Sequence, residues 1–336
     1  MNIYPVDSLI LAPLSGYTDL PYRRIARAYG CRYAFTEMID ISSLAYAHER
    51  SFRMQERGED ETFLGIQLVG SDPEHLRRAL EVVNRCRFDV VDFNLGCPVA
   101  KVARKCAGAA LGRQVDRALA LFQLLVKESV HPVTAKIRIL DERDPRETLR
   151  LALGLEAAGA RALTVHGRVM KMFYSGPVYA EIIAAVRESL AIQVVANGGV
   201  MGWQSYGQLR RDSGCRAVML ARGAMGNPWL FRELSDPQGY LPPTPEEVIG
   251  TMRSHVLAMI DYYGEAAAMR MARKIMIDYL RGRGFLGTAR AAVSKLETRD
   301  ELLQFCERAV HEHSAGYWQW LESSPTAERR LRKGSF

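Results

Sequence analysis

The chain is sparing with the residues that would assign it to several large classes. It has only six cysteines in 336 residues, Cys31, Cys86, Cys97, Cys106, Cys215 and Cys306, and no two form a C-x-x-C pair. The seven histidines do not cluster beside them, so zinc-type ligand spacing is missing and no metal is expected. A chain of this length needs no disulfide framework. No apolar run approaches the roughly 18 residues that cross a bilayer. Met1-Asn2-Ile3-Tyr4-Pro5 lacks the basic and apolar regions of a signal peptide. These absences predict a monomeric, cytoplasmic protein with no membrane partner.

What is present is an ordinary globular composition, 48% hydrophobic and 25% charged, long enough for a large core and a second, smaller unit. Acidic residues are the minority, 38 against 45 basic, for a net charge of +7. That excess suits a polyanionic partner. Short apolar runs alternate with amphipathic segments as far as about Leu234. The strand candidates are Leu9–Ala12, Tyr33–Thr36, Phe63–Val69, Asp89–Phe93, Val133–Ile137, Ala162–Val165, Ile192–Ala196 and Ala217–Leu220. Eight strands separated by helices predict an α/β fold, a (β/α)8 TIM barrel, with an open doubly wound sheet as the alternative. The barrel is favoured because polar residues recur at nearly every strand end.

In chain order those ends offer Pro13-Leu14-Ser15, Glu37, Gln67, Asn94 with Cys97, Lys136 with Arg138, His166 with Arg168, Asn197-Gly198-Gly199 and Ala221-Arg222-Gly223. A barrel brings all of them to one face. The last two groups are small or glycine-rich turns where such barrels hold a phosphate on backbone amides, and Arg222 would add charge. Alternation in Thr134-Ala135-Lys136-Ile137-Arg138 puts Thr134, Lys136 and Arg138 on one strand face. An ammonium inside the barrel needs an anionic partner, and reduced flavin mononucleotide (FMN) is one such species, with Gln67 and His166 placed to hydrogen-bond its polar edge. Cys97 stands out among the cysteines because turn-formers and the amide of Asn94 surround it. Cys31, Cys86 and Cys215 fall in helix-to-strand connections, where packing is their expected role. Cys106, beside Lys105 on the same loop as Cys97, remains a rival. Glu37 has the alternative of pairing with an arginine, Arg138 that of a strand-end salt bridge, and Tyr174 that of core packing.

Several segments together carry a more specific likeness. Leu11-Ala12-Pro13-Leu14-Ser15-Gly16-Tyr17-Thr18-Asp19, Gln67-Leu68-Val69-Gly70, Asn94-Leu95-Gly96-Cys97-Pro98, Val165-His166-Gly167-Arg168, Tyr174-Ser175-Gly176, Val195-Ala196-Asn197-Gly198 and Ala221-Arg222-Gly223 resemble the tRNA-dihydrouridine synthases over most of residues 9 to 300. Three positions depart from that family's usual pattern: Ala221 where glycine is commoner, Leu14 where methionine is common, and Gly199 where an acidic residue often follows Asn-Gly.

The resemblance implies an FMN enzyme that takes hydride from NADPH and passes it to C6 of a uracil in tRNA while a cysteine protonates C5. Cys97 occupies the proton-donor position. By the same transfer Pro13, Leu14, Ser15, Gln67, Lys136, His166, Asn197, Gly198, Gly199, Ala221 and Arg222 would hold FMN, and Asn94, Arg138 and Tyr174 would face the base. The implied domains are a catalytic barrel over 1–240, a helical tRNA-binding domain over 244–322 and a basic tail over 323–336. Lys101 on the cysteine loop and Arg270, Arg273 and Lys274, three and four residues apart on one helix, are the expected phosphate contacts. A flavin barrel oxidoreductase acting on a free pyrimidine is the alternative, and it has no use for the basic helical segment.

Overall fold

The computed structural model describes residues 2–46, 48–313 and 316. The basic tail of residues 323–336 and the last residues of the expected helical domain lie outside them. The chain divides into two compact units. One comprises Met1–Leu20, Arg32–Gly199 and Gly207–Ala221, the other Pro21–Cys31, Val200–Tyr206 and Arg222–Phe336.

The first unit is a closed barrel of eight parallel strands in sequence order. They are β1 (Leu9–Leu11), β2 (Tyr33–Asp40), β3 (Leu64–Val69), β4 (Val90–Leu95), β5 (Val133–Arg138), β6 (Ala162–His166), β7 (Gln193–Asn197) and β8 (Ala217–Leu220). β3 and β4 are buried at every position, so they show no strict apolar-polar alternation, and the polar Gln67, Asp92 and Asn94 within them require buried partners. Ile10, Phe35, Val90, Val195 and Met219 pack together inside, each stabilising the fold by about 1.5–3 kcal/mol on leaving water. Tyr4 joins them, edge-on to Tyr33 at 5.7 Å, with its backbone pinned by both ends of the Gln193 amide, at 3.0 and 2.9 Å.

Two strands run past their expected ends by more than one residue because the polar residues that looked like terminators are satisfied in place. β2 continues through a register shift between Phe35 and Met38. There Glu37 accepts from the Gly16 amide, and Asp40 caps the helix Ile41–Ala45 by accepting from Ser42 N at 2.9 Å. β4 continues through Asn94, which pairs with Lys136 in the ladder.

The second unit is helical. Thr244 caps its helix Pro245–Tyr263 by accepting from Glu247 N at 3.3 Å, with Pro245 at the first helical position, a favoured start. Glu265–Leu280, Gly287–Val293 and Arg299–His313 follow. Trp229 is fully buried in this unit, donating to Glu247 at 2.8 Å with the Arg283 guanidinium 5.2 Å over its ring. Among the described residues, no helix is long and apolar enough to cross a membrane and no cluster of His, Cys, Asp and Glu could hold a metal.

Candidate active site

Strand register assembles the barrel mouth. Gln67, Asp92 and Thr134 are neighbours in one row of the ladder, and Asn94 with Lys136 in another. Arg138, His166 and Asn197 form a third. Residues separated by tens of positions in sequence thus stand side by side at the carboxyl ends of five adjacent strands.

Side-chain bonds then tie the rows together. Asp92 accepts from Thr134 Oγ1 at 2.7 Å and from Gln67 Nε2 at 2.7 Å. Asn94 Nδ2 donates to Gln67 Oε1 at 2.8 Å. Asn94 Oδ1 in turn accepts from the backbone amides of Gly96 at 3.0 Å and Cys97 at 2.8 Å. The loop carrying the cysteine is therefore anchored to the barrel interior. Its far end is held too, because the Cys97 carbonyl accepts from Ala109 N at 3.0 Å. Gly108 allows that closure: its φ is +59°, and a Cβ there would lie 2.7 Å from the Cys97 oxygen.

The Cys97 thiol is partly buried, and burial raises its pKa above the ordinary thiol value against smaller opposing effects from a bond to the Val99 backbone and from Arg138 and Lys136. It stays protonated near neutral pH, as a general acid must. Cys106 is exposed on the outer side of that loop, with Lys105 beside it paired to Asp40 at 2.6 Å.

Lys136 donates to Asn197 Oδ1 at 2.8 Å, and Asn197 Nδ2 fixes that amide by donating to the Met219 carbonyl at 2.8 Å. The amide it bonds is neutral, and burial, then repulsion from Arg138, outweigh the attraction of Asp92 and Cys97 and lower Lys136 to about 7. Burial likewise pushes the Asp92 carboxyl up to about 6. Beside Asn197, Gly198 (φ +127°) and Gly199 (φ +72°) make a shallow cradle. A Cβ on Gly198 would meet His166 Cδ2 at 2.9 Å, and one on Gly199 would meet Val178 at 3.1 Å. A buried cation next to such a cradle fits an anionic, phosphate-bearing group.

The other expected residues divide by location. Pro13, Leu14 and Ser15 follow β1 in a turn where Leu14 N donates to Thr18 Oγ1 at 2.9 Å. His166 ends β6 with Nε2 3.5 Å from Arg168 Nη1. Arg138 is buried and donates to the Gly96 and Phe173 carbonyls, each at 2.7 Å, so it braces the cysteine loop. Tyr174, 46% exposed, is no core residue, and the Arg138 guanidinium lies 5.5 Å over its ring. Ala221 is the last residue of the first unit, and Arg222 belongs to the second, in a short 3-10 helix. Lys101 is exposed on the helix Ala100–Ala103. Arg270 and Lys274 are exposed on Glu265–Leu280, and Arg273 on the same helix pairs with Glu297 at 3.1 Å. Asp92 was not singled out by sequence reasoning. A carboxylate in the middle of the apolar run Val90-Val91-Asp92-Phe93 demands buried donors, and that was the available signal.

A family model described as dihydrouridine synthase matches residues 10–314. The tRNA-dihydrouridine synthase B of Pasteurella multocida (strain Pm70) is 32% identical over 280 residues, covering 82% of this chain and 84% of that protein. The protein of the same name from Pseudomonas aeruginosa is 33% identical over 299 residues, 88% of this chain and 90% of that one. Among solved structures, histamine dehydrogenase from Rhizobium sp. 4-9 superposes with a TM-score of 0.51 at 11% identity, over 75% of this chain and 48% of its own. That likeness concerns the barrel fold.

Proposed function

Because the chain belongs to the dihydrouridine synthase family and is an enzyme that forms dihydrouridine in tRNA, we propose that its barrel mouth binds FMN and that Cys97 is its proton donor. The carrying observation is the Lys136 ammonium, disfavoured by burial and Arg138 beside the Gly198-Gly199 cradle, matched to an anionic cofactor. FMN, once reduced by NADPH, supplies the hydride for C6 of the uracil. Lys136 would stabilise negative charge on the bound flavin with His166 hydrogen-bonding it, while Gln67, fully buried with both ends of its amide engaged by Asn94 and Asp92, would support the site through Asn94. Pro13, Leu14, Ser15, Asn197, Gly198, Gly199, Ala221 and Arg222 complete the cofactor's binding residues.

Cys97 holds the proton that C5 receives, and the burial-raised thiol pKa keeps that proton in place until transfer. Asn94, Arg138 and Tyr174 face the base. A stacked uracil cannot reach such a mouth, so it is turned out of the RNA first. Lys101, Arg270 and Lys274 meet RNA phosphates, with Arg273 as a further candidate. The work is done in the cytoplasm.

The test is Cys97→Ala assayed on tRNA with NADPH. The purified variant should remain yellow and bind tRNA, while dihydrouridine formation falls by about 10²–10⁴-fold, the usual worth of a general acid. Full turnover by the variant removes the assignment. Reduced enzyme should be reoxidised by tRNA and not by free uracil or uridine.

A further inference from the structure

Asp92 is 1% exposed, Gln67 0% and Asn94 7%, so the hydrogen-bond chain joining them has no water to fall back on. Its direction is fixed at both ends. Two backbone N–H groups, those of Gly96 and Cys97, require an oxygen from Asn94. Asn94 must then offer its nitrogen to Gln67, which must receive it on Oε1 and present Nε2 to the interior. Only an acceptor can stand there, and an ionised carboxylate is acceptor-only.

We propose that Asp92 is a positioning residue for the reaction: its carboxylate sets the orientation of the Gln67 and Asn94 amides and, through them, holds the backbone on which Cys97 sits. Thr134, donating to the other carboxylate oxygen, keeps Asp92 in place without belonging to the relay. Without the acceptor, Gln67 Nε2 is buried unpaired. Rotating that amide to escape brings Gln67 nitrogen against Asn94 nitrogen. Asn94 then turns in its own place, and its oxygen leaves the Gly96 and Cys97 amides. A group three side chains away thereby decides whether the cysteine loop is held. The consequence for turnover rests on the reaction proposed above, whereas the consequence for the loop does not.

Two substitutions separate direction from charge. Asp92→Asn removes the charge but keeps the relay: its oxygen accepts from Gln67 while its nitrogen donates to Thr134 Oγ1. Asp92→Leu removes both. Because both lose the same charge, the difference between them reports hydrogen bonding at this position and not charge, and exchange at Gly96 and Cys97 reads the branch that runs through Gln67 and Asn94. Backbone hydrogen exchange at Gly96 and Cys97 in flavin-free protein should match the wild type in Asp92→Asn and rise about tenfold in Asp92→Leu, the loss of one hydrogen bond per amide. Iodoacetamide labelling of Cys97 should be several-fold faster in Asp92→Leu than in Asp92→Asn. Cleavage after Arg87 and Lys101 isolates Cys97 from the other thiols, and Cys106 should label equally in both variants. With tRNA, kcat should fall in Asp92→Leu more than in Asp92→Asn at similar KM. Should Asp92→Leu not fold, Asp92→Ala takes its place. Equal exchange at Gly96 and Cys97 in the two variants overturns the proposal. If the exchange pattern holds and no dihydrouridine forms in wild-type protein, the reaction is wrong and the relay stands.

Discussion

Replacing Lys136 with methionine, nearly its equal in length and without charge, should stabilise the flavin-free protein while damaging its function. Burial and the neighbouring Arg138 lower the Lys136 pKa from 10.5 to about 7. At about 1.4 kcal/mol per factor of ten, the folded chain disfavours the ammonium by about 5 kcal/mol relative to the unfolded one. Residual solvent access at Lys136 reduces that figure, and methionine leaves Asn197 Oδ1 without its donor, a penalty of about 1–3 kcal/mol. A net gain of about 2 kcal/mol remains below neutral pH. Its pH dependence carries the sign of the argument. The folded pKa lies below the unfolded one, so the unfolded wild-type chain binds more protons between about pH 7 and pH 10.5, and wild-type stability rises through that window. The variant's advantage therefore vanishes at about pH 8.5 and turns into a deficit of about 1 kcal/mol by about pH 9.5. Urea unfolding of both flavin-free proteins at about pH 6.5 and about pH 9.5 measures this directly. A variant less stable at the lower pH, or an advantage independent of pH, refutes the claim that folding disfavours the Lys136 ammonium. Flavin retention should fall in the same variant.

Other expectations concern the cysteine loop and the helical unit. Gly108→Ala forces a Cβ to within 2.7 Å of the Cys97 carbonyl at a φ of +59°. Catalysis should suffer more than stability, with kcat on tRNA down by at least about tenfold and unfolding shifted by about 1–3 kcal/mol, read by turnover and denaturant titration. Charge removal at Arg270 and Lys274 together should raise KM for tRNA and reduce the salt slope of binding by about 2. Arg273→Ala should alter the slope less than Arg270→Ala, since Arg273 is already engaged with Glu297.

Local pattern carried a great deal of this protein. The alternation of apolar runs with amphipathic segments is a property of neighbouring residues, and it yields the eight-stranded barrel because strand burial and helix faces are written at short range. The turn residues around Cys97 and the strand-face alternation of Thr134, Lys136 and Arg138 were legible for the same reason. Family likeness, a pattern of local words, supplied the reaction.

What pairs with what was decided only by closure of the barrel. Lys136 finds Asn197 61 positions away, and Arg138, for which a strand-end salt bridge was the alternative, reaches back to the Gly96 carbonyl across 42. Glu37 takes a backbone amide from Gly16, though its sequence context offered an arginine. Asp92 could be read as a strand residue of no special role until β3 and β5 stood on either side of it. Hydrogen-bond direction and pKa depend on which groups share a buried space at a few ångströms, and neighbours in that space are chosen by strand register, which a one-dimensional pattern does not encode.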